Sequence, residues 1–192
     1  ALATTGPVSI QATRNVAVMT TGQSRTHLYS AGTGRFVSVA AGVRWFAADN
    51  FAAAIDNNRL RVFNGLTGTI RTTRYEPATA VHCGPSVLVV GTGAAARVFS
   101  VFTDQWHDVP PDTLATLPDV GASAVLLRMT TGWAALSART GRVYPAAASI
   151  HATVLPTNSL ALRDGNKLWA FAPIQSRWVS TSVRGAGPLK VR

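Results

Sequence analysis

The stretch "FAPIQSRW" (171–178) sets an aromatic residue seven positions before a tryptophan, with a polar, turn-like segment between them. The same eight-residue frame occurs at "YSAGTGRF" (29–36), "FNGLTGTI" (63–70), "FSVFTDQW" (99–106) and "LSARTGRV" (136–143). The closing anchors Phe36, Ile70, Trp106, Val143 and Trp178 are 34, 36, 37 and 35 residues apart, a near-constant period with small insertions. Thr recurs in one column at Thr33, Thr67, Thr103 and Thr140, and Gly follows it at Gly34, Gly68 and Gly141. Regularity of this kind marks an internal repeat, which decides the fold before any single element does.

Each frame is preceded by a second pattern: an apolar run, a turn rich in Gly, Asn, Asp or Thr, and another apolar run. Examples are "NFAAAIDNNRLRVF", "SVLVVGTGAAARVF" and "SLALRDGNKLWAF". This predicts a β-hairpin whose turn residues tolerate positive φ. The first run is almost wholly apolar, as a strand covered on both faces requires. A further short segment follows each anchor, at "GVRWFA" (42–47), "TAVHC" (79–83), "TLATL" (113–117) and "IHATV" (150–154). The chain opens with "GPVSI" (6–10) and closes with the similar "GPLKV" (187–191).

Four short strands per repeat and no 3.6-residue apolar stripe predict an all-β chain with almost no helix. The expected architecture is a β-propeller of about five four-stranded blades, one domain over residues 1–192, its ring closed by the terminal strands. One blade cannot bury both its faces alone; stacked blades cover each other, and closure protects the edges. A jelly-roll capsid domain is the alternative for a basic, Thr- and Ala-rich chain, but equal repeats argue against it.

The aromatic, the Thr-Gly turn and the Trp of the frame resemble the end of a kelch repeat, with Phe99/Trp106 and Phe171/Trp178 matching that spacing. The Thr-Gly pair before an apolar residue is also similar to quinoprotein-type propeller repeats. The resemblance covers nearly the whole chain and implies the fold alone. The double glycine that usually ends the second kelch strand is missing from all five repeats, and the period is shorter, which implies tight hairpins with little room for ligand-binding loops.

Bulk composition agrees. Charged residues make up 14% of the chain against 47% apolar, so solubility rests on Thr, Ser, Gly and Asn, residues suited to strands and turns. The net charge of +10 comes from 18 basic and 8 acidic residues, and the basic ones are scattered along the chain. Scattered charge favours general attraction to an anionic partner over a dedicated basic arm. Cys83 is the single cysteine, which rules out a disulfide within the chain and reads as a small buried hydrophobe. No apolar run reaches the roughly 18 residues of a membrane-spanning helix. The start at Ala1 without Met fits a mature secreted, extracellular chain, a trimmed one, or a part of something larger.

The search for chemistry is short. Asp56 and Asp164 fall in hairpin turns and Asp104 fills the Gly column of its frame, all turn-forming roles. Asp108, Asp112 and Asp119 lie in the Pro-bearing "WHDVPPDTLATLPDV". His27, His82, His107 and His151 show no metal-ligand spacing, and no phosphate-binding or nucleophile motif occurs; "GTGAAA" sits in a hairpin. The expectation is a non-enzyme without cofactor or metal.

Two basic columns stand out. One, just before the anchor, holds Arg35, Arg142 and Arg177; the other opens the third strand, at Arg25, Arg59 and Lys167. Together they form a candidate belt for sulfate, phosphate or carboxylate groups. Trp45 and Trp133 lie outside the anchor column and are candidate stacking platforms for a sugar or a base. The favoured reading is a scaffold for protein–protein assembly or self-association. A propeller lectin with inter-blade sites for acidic or sulfated glycans comes second, and a binder of nucleic acid or another polyanion third.

Overall fold

The computed structural model describes residues 8–21, 25–40, 42–76, 80–92, 95–110, 113, 119–155 and 160–183. These form five separate four-stranded antiparallel sheets, each a simple meander. Blade 1 comprises β1 (Val8–Ala12), β2 (Val16–Thr21), β3 (Arg25–Ser30) and β4 (Arg35–Ala40). Blade 2 follows with β5 (Trp45–Ala47), β6 (Phe51–Asp56), β7 (Arg59–Asn64) and β8 (Ile70–Arg74). Blade 3 is built from β9 (Ala80–Cys83), β10 (Val87–Thr92), β11 (Ala95–Ser100) and β12 (Gln105–Asp108). In blade 4 the strands are β13 (Asp119–Val120), β14 (Ala124–Met129), β15 (Gly132–Ser137) and β16 (Val143–Pro145). Blade 5 has β17 (Thr153–Val154), β18 (Ala161–Asp164), β19 (Lys167–Ala172) and β20 (Arg177–Ser182). No helix occurs among the described residues.

The all-β, five-bladed propeller reading is thus the architecture, and the jelly-roll alternative falls, because there are five small sheets rather than two large ones facing each other. One strand moves from its expected place. Blade 4 begins at Asp119–Val120 rather than at 113–117, and Thr113 makes only an isolated bridge to Met129. The closing segment at 187–191, and the ring closure assigned to it, lie outside the described residues.

Blades hold together through four apolar cores, each shared by consecutive blades. Val16, Val18 and Leu28 of blade 1 meet Trp45, Ala52, Ala54 and Phe63 of blade 2. Phe51, Ala53, Leu60 and Val62 on the other face of blade 2 meet Leu88, Val90, Phe99 and Val101 of blade 3. The series continues from blade 3 to 4 through Val89, Val98, Val125 and Leu136, and from 4 to 5 through Leu126, Ala135, Leu162 and Phe171. Residues 51–54 of β6 and 124–127 of β14 therefore alternate between two cores, which is why these four-residue runs are apolar throughout.

Strand register explains the frame. Its first and last residues are cross-strand partners: Tyr29↔Phe36, Phe63↔Ile70, Phe99↔Trp106, Leu136↔Val143 and Phe171↔Trp178. In blades 2 to 5 this pair points backward, onto the preceding blade, where Trp178 also donates its indole N–H to the Tyr144 carbonyl at 2.8 Å. The sixth frame position is left-handed in every repeat: Gly34, Gly68, Asp104, Gly141 and Ser176 have φ of 67°, 70°, 55°, 68° and 50°. That backbone lets the sixth N–H reach back to the carbonyl of the second residue, at 2.8 Å for Gly34 to Ser30, Gly68 to Asn64 and Gly141 to Ser137.

Gly34 and Gly141 separate strain from packing. Around Gly34 there is open space for a Cβ, whereas a Cβ on Gly141 would run into the ring of His107 in the preceding blade. Gly34→Ala should cost about 1 kcal/mol in urea unfolding, the price of a left-handed L-residue. Gly141→Ala should cost that plus roughly 1–3 kcal/mol of overpacking, and His107→Ala should recover the excess.

Candidate functional site

The end of each blade that carries the frame turns is built from two polar columns. The second frame residue, Ser30, Asn64, Ser100 or Ser137, is wholly buried in blades 1 to 4. Its side chain serves two blades. Within its own turn it accepts a backbone N–H, from Thr33 to Ser30 Oγ at 3.2 Å, from Leu66 to Asn64 Oδ1 at 2.9 Å, and from Phe102 to Ser100 Oγ at 3.2 Å. Outward it donates to the next blade: Ser30 Oγ to the Gly65 carbonyl at 2.7 Å, Asn64 Nδ2 to the Val101 carbonyl at 2.8 Å, and Ser100 Oγ to the Ala138 carbonyl. Ser137 Oγ meets Ser176 Oγ at 3.1 Å. A parallel ladder joins Asn15 Nδ2 to Asn50 Oδ1 at 2.5 Å and Asn50 Nδ2 to Ser86 Oγ at 2.7 Å. These stitches pair the buried second-column side chains and fix each turn against its neighbour.

Asp104 adds a clamp between blades 2 and 3. Its carboxylate accepts from Asn64 Nδ2 at 2.9 Å, from Thr69 Oγ1 at 2.8 Å and from the Arg71 guanidinium at 2.5 Å. Burial pushes the carboxyl upward, but these three donors together with the charge of Arg71 outweigh it and hold Asp104 below the usual carboxylate value. The turn-forming role predicted for Asp104 holds, with φ of 55°; the clamp was missed, because its partners lie on another repeat. Asp164 likewise binds at a distance, accepting from Ser149 N at 2.7 Å and Ser149 Oγ at 2.9 Å, and Asp56 pairs with Arg61 at 2.6 Å.

The two basic columns do not form one belt. Arg35 pairs with Ser30 at the frame end of blade 1, whereas Arg25 pairs with Ala40 at the opposite end. Arg177 and Lys167 are divided in the same way in blade 5, opposite Ala172 and Ser182. A six-residue strand separates the ends by about 17 Å. Arg35, Arg142 and Arg177 therefore belong to one rim, and Arg25, Arg59 and Lys167 to the other. All six are exposed, and among the described residues the ion pairs are made by other arginines, Arg61, Arg71, Arg74 and Arg97.

Neither tryptophan offers a platform. Trp45 is 4% exposed and packed into the core between blades 1 and 2. Trp133 is half-buried in the core between blades 4 and 5, with the Arg128 guanidinium 5.7 Å from its ring centre. Cys83 departs from expectation too. It is exposed at the end of β9, not buried; desolvation nevertheless pushes its thiol up to about 11, so it stays protonated at neutral pH.

What the sequence did not single out is the fourth frame column: Leu66, Phe102, Arg139 and Ile174. Phe102 is 38% and Ile174 78% exposed, and the Arg139 guanidinium of blade 4 lies 4.8 Å from the Phe102 ring centre of blade 3. This makes an apolar and cationic ridge along the frame rim. A depression of about 100 Å³ between Ser123 and Phe171 is smaller than the roughly 300 Å³ from which small-molecule sites begin, and a shallow one of about 320 Å³ at the opposite end of blade 1 is lined by Arg25, Ser38, Val39 and Ala40.

No profile of a known protein family matches the chain, and no curated protein matches it. Among solved structures it is similar to Hsv2 of Kluyveromyces lactis (10% identity, TM-score 0.36, 92% of this chain and 64% of that one). It is also similar to BamB of Moraxella catarrhalis (14%, 0.34, 95% and 77%). A third is PorZ, a surface component of the type-IX secretion system of Porphyromonas gingivalis (13%, 0.38, 95% and 28%). The chain thus spans less than two thirds of the Hsv2 length. The likeness is to propeller-like chains of repeated four-stranded sheets as a class and does not single out the kelch type.

Two titrations should be separable in the folded protein. Burial holds His107 below its usual 6.5, against the opposing charge of Asp108. Its contribution is therefore complete above pH 6.5 and is lost as the pH falls toward the folded value, while the unfolded chain takes up the proton first. The Asp104 contribution is present above its ordinary value of 3.8 and lost as the pH falls through the lower folded one. Thermal melts against pH should show a decline beginning near 6.5 that His107→Gln removes, and a second below 3.8 that Asp104→Asn reduces, the hydrogen bonds from Ser149 holding Asp164 low in the same way.

Proposed function

We propose that the chain is a non-catalytic β-propeller module that docks protein partners along its frame rim. One observation carries this reading: the rim presents exposed Phe102, Ile174 and Arg139 beside Arg35, Arg142 and Arg177. Asp104, the one acidic residue in any frame, is already held by Arg71. Exposed apolar side chains next to unpaired guanidinium groups match protein interfaces, which are enriched in aromatics and Arg. The complementary partner is an acidic segment that also carries apolar side chains; Asp49 on the adjoining turn is the local counterweight.

Fluorescence anisotropy with a labelled peptide alternating Glu and Leu tests the assignment. Saturable binding at low salt is expected, weakened about tenfold or more by Arg142→Glu/Arg177→Glu and unchanged by Arg25→Glu/Arg59→Glu on the opposite rim. Equal losses from both double variants would reduce the effect to general charge attraction. Binding to a heparin oligosaccharide or a neutral glycan but not to the peptide would move the function to the polyanion or lectin class.

A further inference from the structure

Each blade has a forward face, which packs on the next blade, and a backward face that carries the frame pair. Among the described residues five blades make four interfaces, which leaves the backward face of blade 1 and the forward face of blade 5. On the backward face of blade 1, Ile10 is 63% and Phe36 57% exposed, with the Tyr29 ring 4.9 Å from that of Phe36. Met19 pairs with Ile10 on the same face. The residues equivalent to Tyr29 are Phe63, Phe99, Leu136 and Phe171, all at 3% exposure or less because a preceding blade covers them.

The forward face of blade 5 is uncovered in the same way. Ala170 is the counterpart of Leu28, Val62, Val98 and Ala135, each at 0%. It is only partly buried, with Leu168 in the same state and its partner Val179 42% exposed. Among the described residues no buried cluster joins blade 5 to blade 1.

We propose that copies of this chain associate head to tail, the forward face of blade 5 of one copy covering the backward face of blade 1 of the next. The joint continues the series of four interfaces already present, between the two faces that the repeat makes complementary. Such a contact is heterologous: it leaves a free face at each end, so copies add in sequence. It is also weaker than the interior interfaces. The buried donor of the stitch column, Ser or Asn in blades 1 to 4, is Ala172 in blade 5, so the carbonyl of Ala31 receives no side-chain hydrogen bond across the joint. Arg25 and Arg163 stand at the same end of the two faces and repel. Salt should therefore strengthen the association, the opposite of its effect on an acidic partner at the rim.

Sedimentation equilibrium of the full chain over about a hundredfold range of concentration should show a mass that rises with concentration. Phe36→Asp blocks one face and Val179→Asp the other, so each variant alone should be monomeric. Mixed together they should form dimers and nothing larger, because the mixture restores a single joint. Circular dichroism confirms that both variants fold; should Phe36→Asp not, Ile10→Asp blocks the same face. A wild-type chain that stays monomeric, association insensitive to Phe36→Asp and Ile10→Asp, or a mixture that does not dimerise would each overturn the proposal. Failure of the rim peptide to bind would leave this test unaffected.

Discussion

A sheet with two apolar faces has to be covered twice, and almost everything in this chain follows from that requirement. Four short strands make too small a sheet to curl over its own core, so each blade borrows cover from its neighbours. The alternation of Phe51, Ala52, Ala53 and Ala54 between two cores is that requirement written into one strand. It also explains why charged residues are so few: the inner strands of a blade are largely apolar, and arginines within strands such as Arg61, Arg71 and Arg97 sit where they reach an Asp. Stability of such an array is a sum of interface terms between neighbours, as in other repeat proteins.

Apolar cover alone would let blades slide. Registry comes from the polar stitch at the end of the third strand, where one side chain satisfies its own turn and the next blade's backbone at once. A buried hydroxyl or amide left unpaired costs about 1–3 kcal/mol, so a displaced neighbour is penalised at Ser30, Asn64 and Ser100 simultaneously. At Ser30, Asn64 and Ser100 the stitch also has a direction, because the donor lies on the earlier blade. The Asp104 clamp keeps it, since its donors Asn64, Thr69 and Arg71 all lie on blade 2.

Much of this was legible in the sequence because it is periodic. The frame located the third and fourth strands of every blade, and the Thr-Gly column marked the turn between them, whose sixth position the structure shows to be left-handed. Asp104 and Ser176 were harder, since neither is glycine, yet they take the same backbone. The first strand of blade 4 was misplaced because β13 is two residues long, too short to show alternation. Contacts between repeats were the least legible. Cys83 looked buried from its apolar neighbours, but it ends an edge strand. Trp45 looked free of the anchor column, but it fills the space beside Phe63 that a large side chain there would occupy. The basic belt failed for a simple reason: a column is defined along the repeat, and two columns separated by a strand length open onto different rims.

The division between faces and rims also bears on where function can reside. Faces are committed to holding blades together, and changes there are paid for in stability, so they cannot vary freely to suit a ligand. Rim positions carry less of this burden. Arg35, Gln105, Arg142 and Arg177 share one column with Thr69, which is held in the Asp104 clamp. Phe102, Arg139 and Ile174 share another with Gly32, whose Cβ would meet the Leu66 backbone, and with Leu66, which packs on the core between blades 2 and 3. The exposed members Arg35, Arg142, Arg177 and Ile174 lie outside the four shared cores. The regularity that builds the propeller thus leaves the rim as the surface on which the proposed docking would take place.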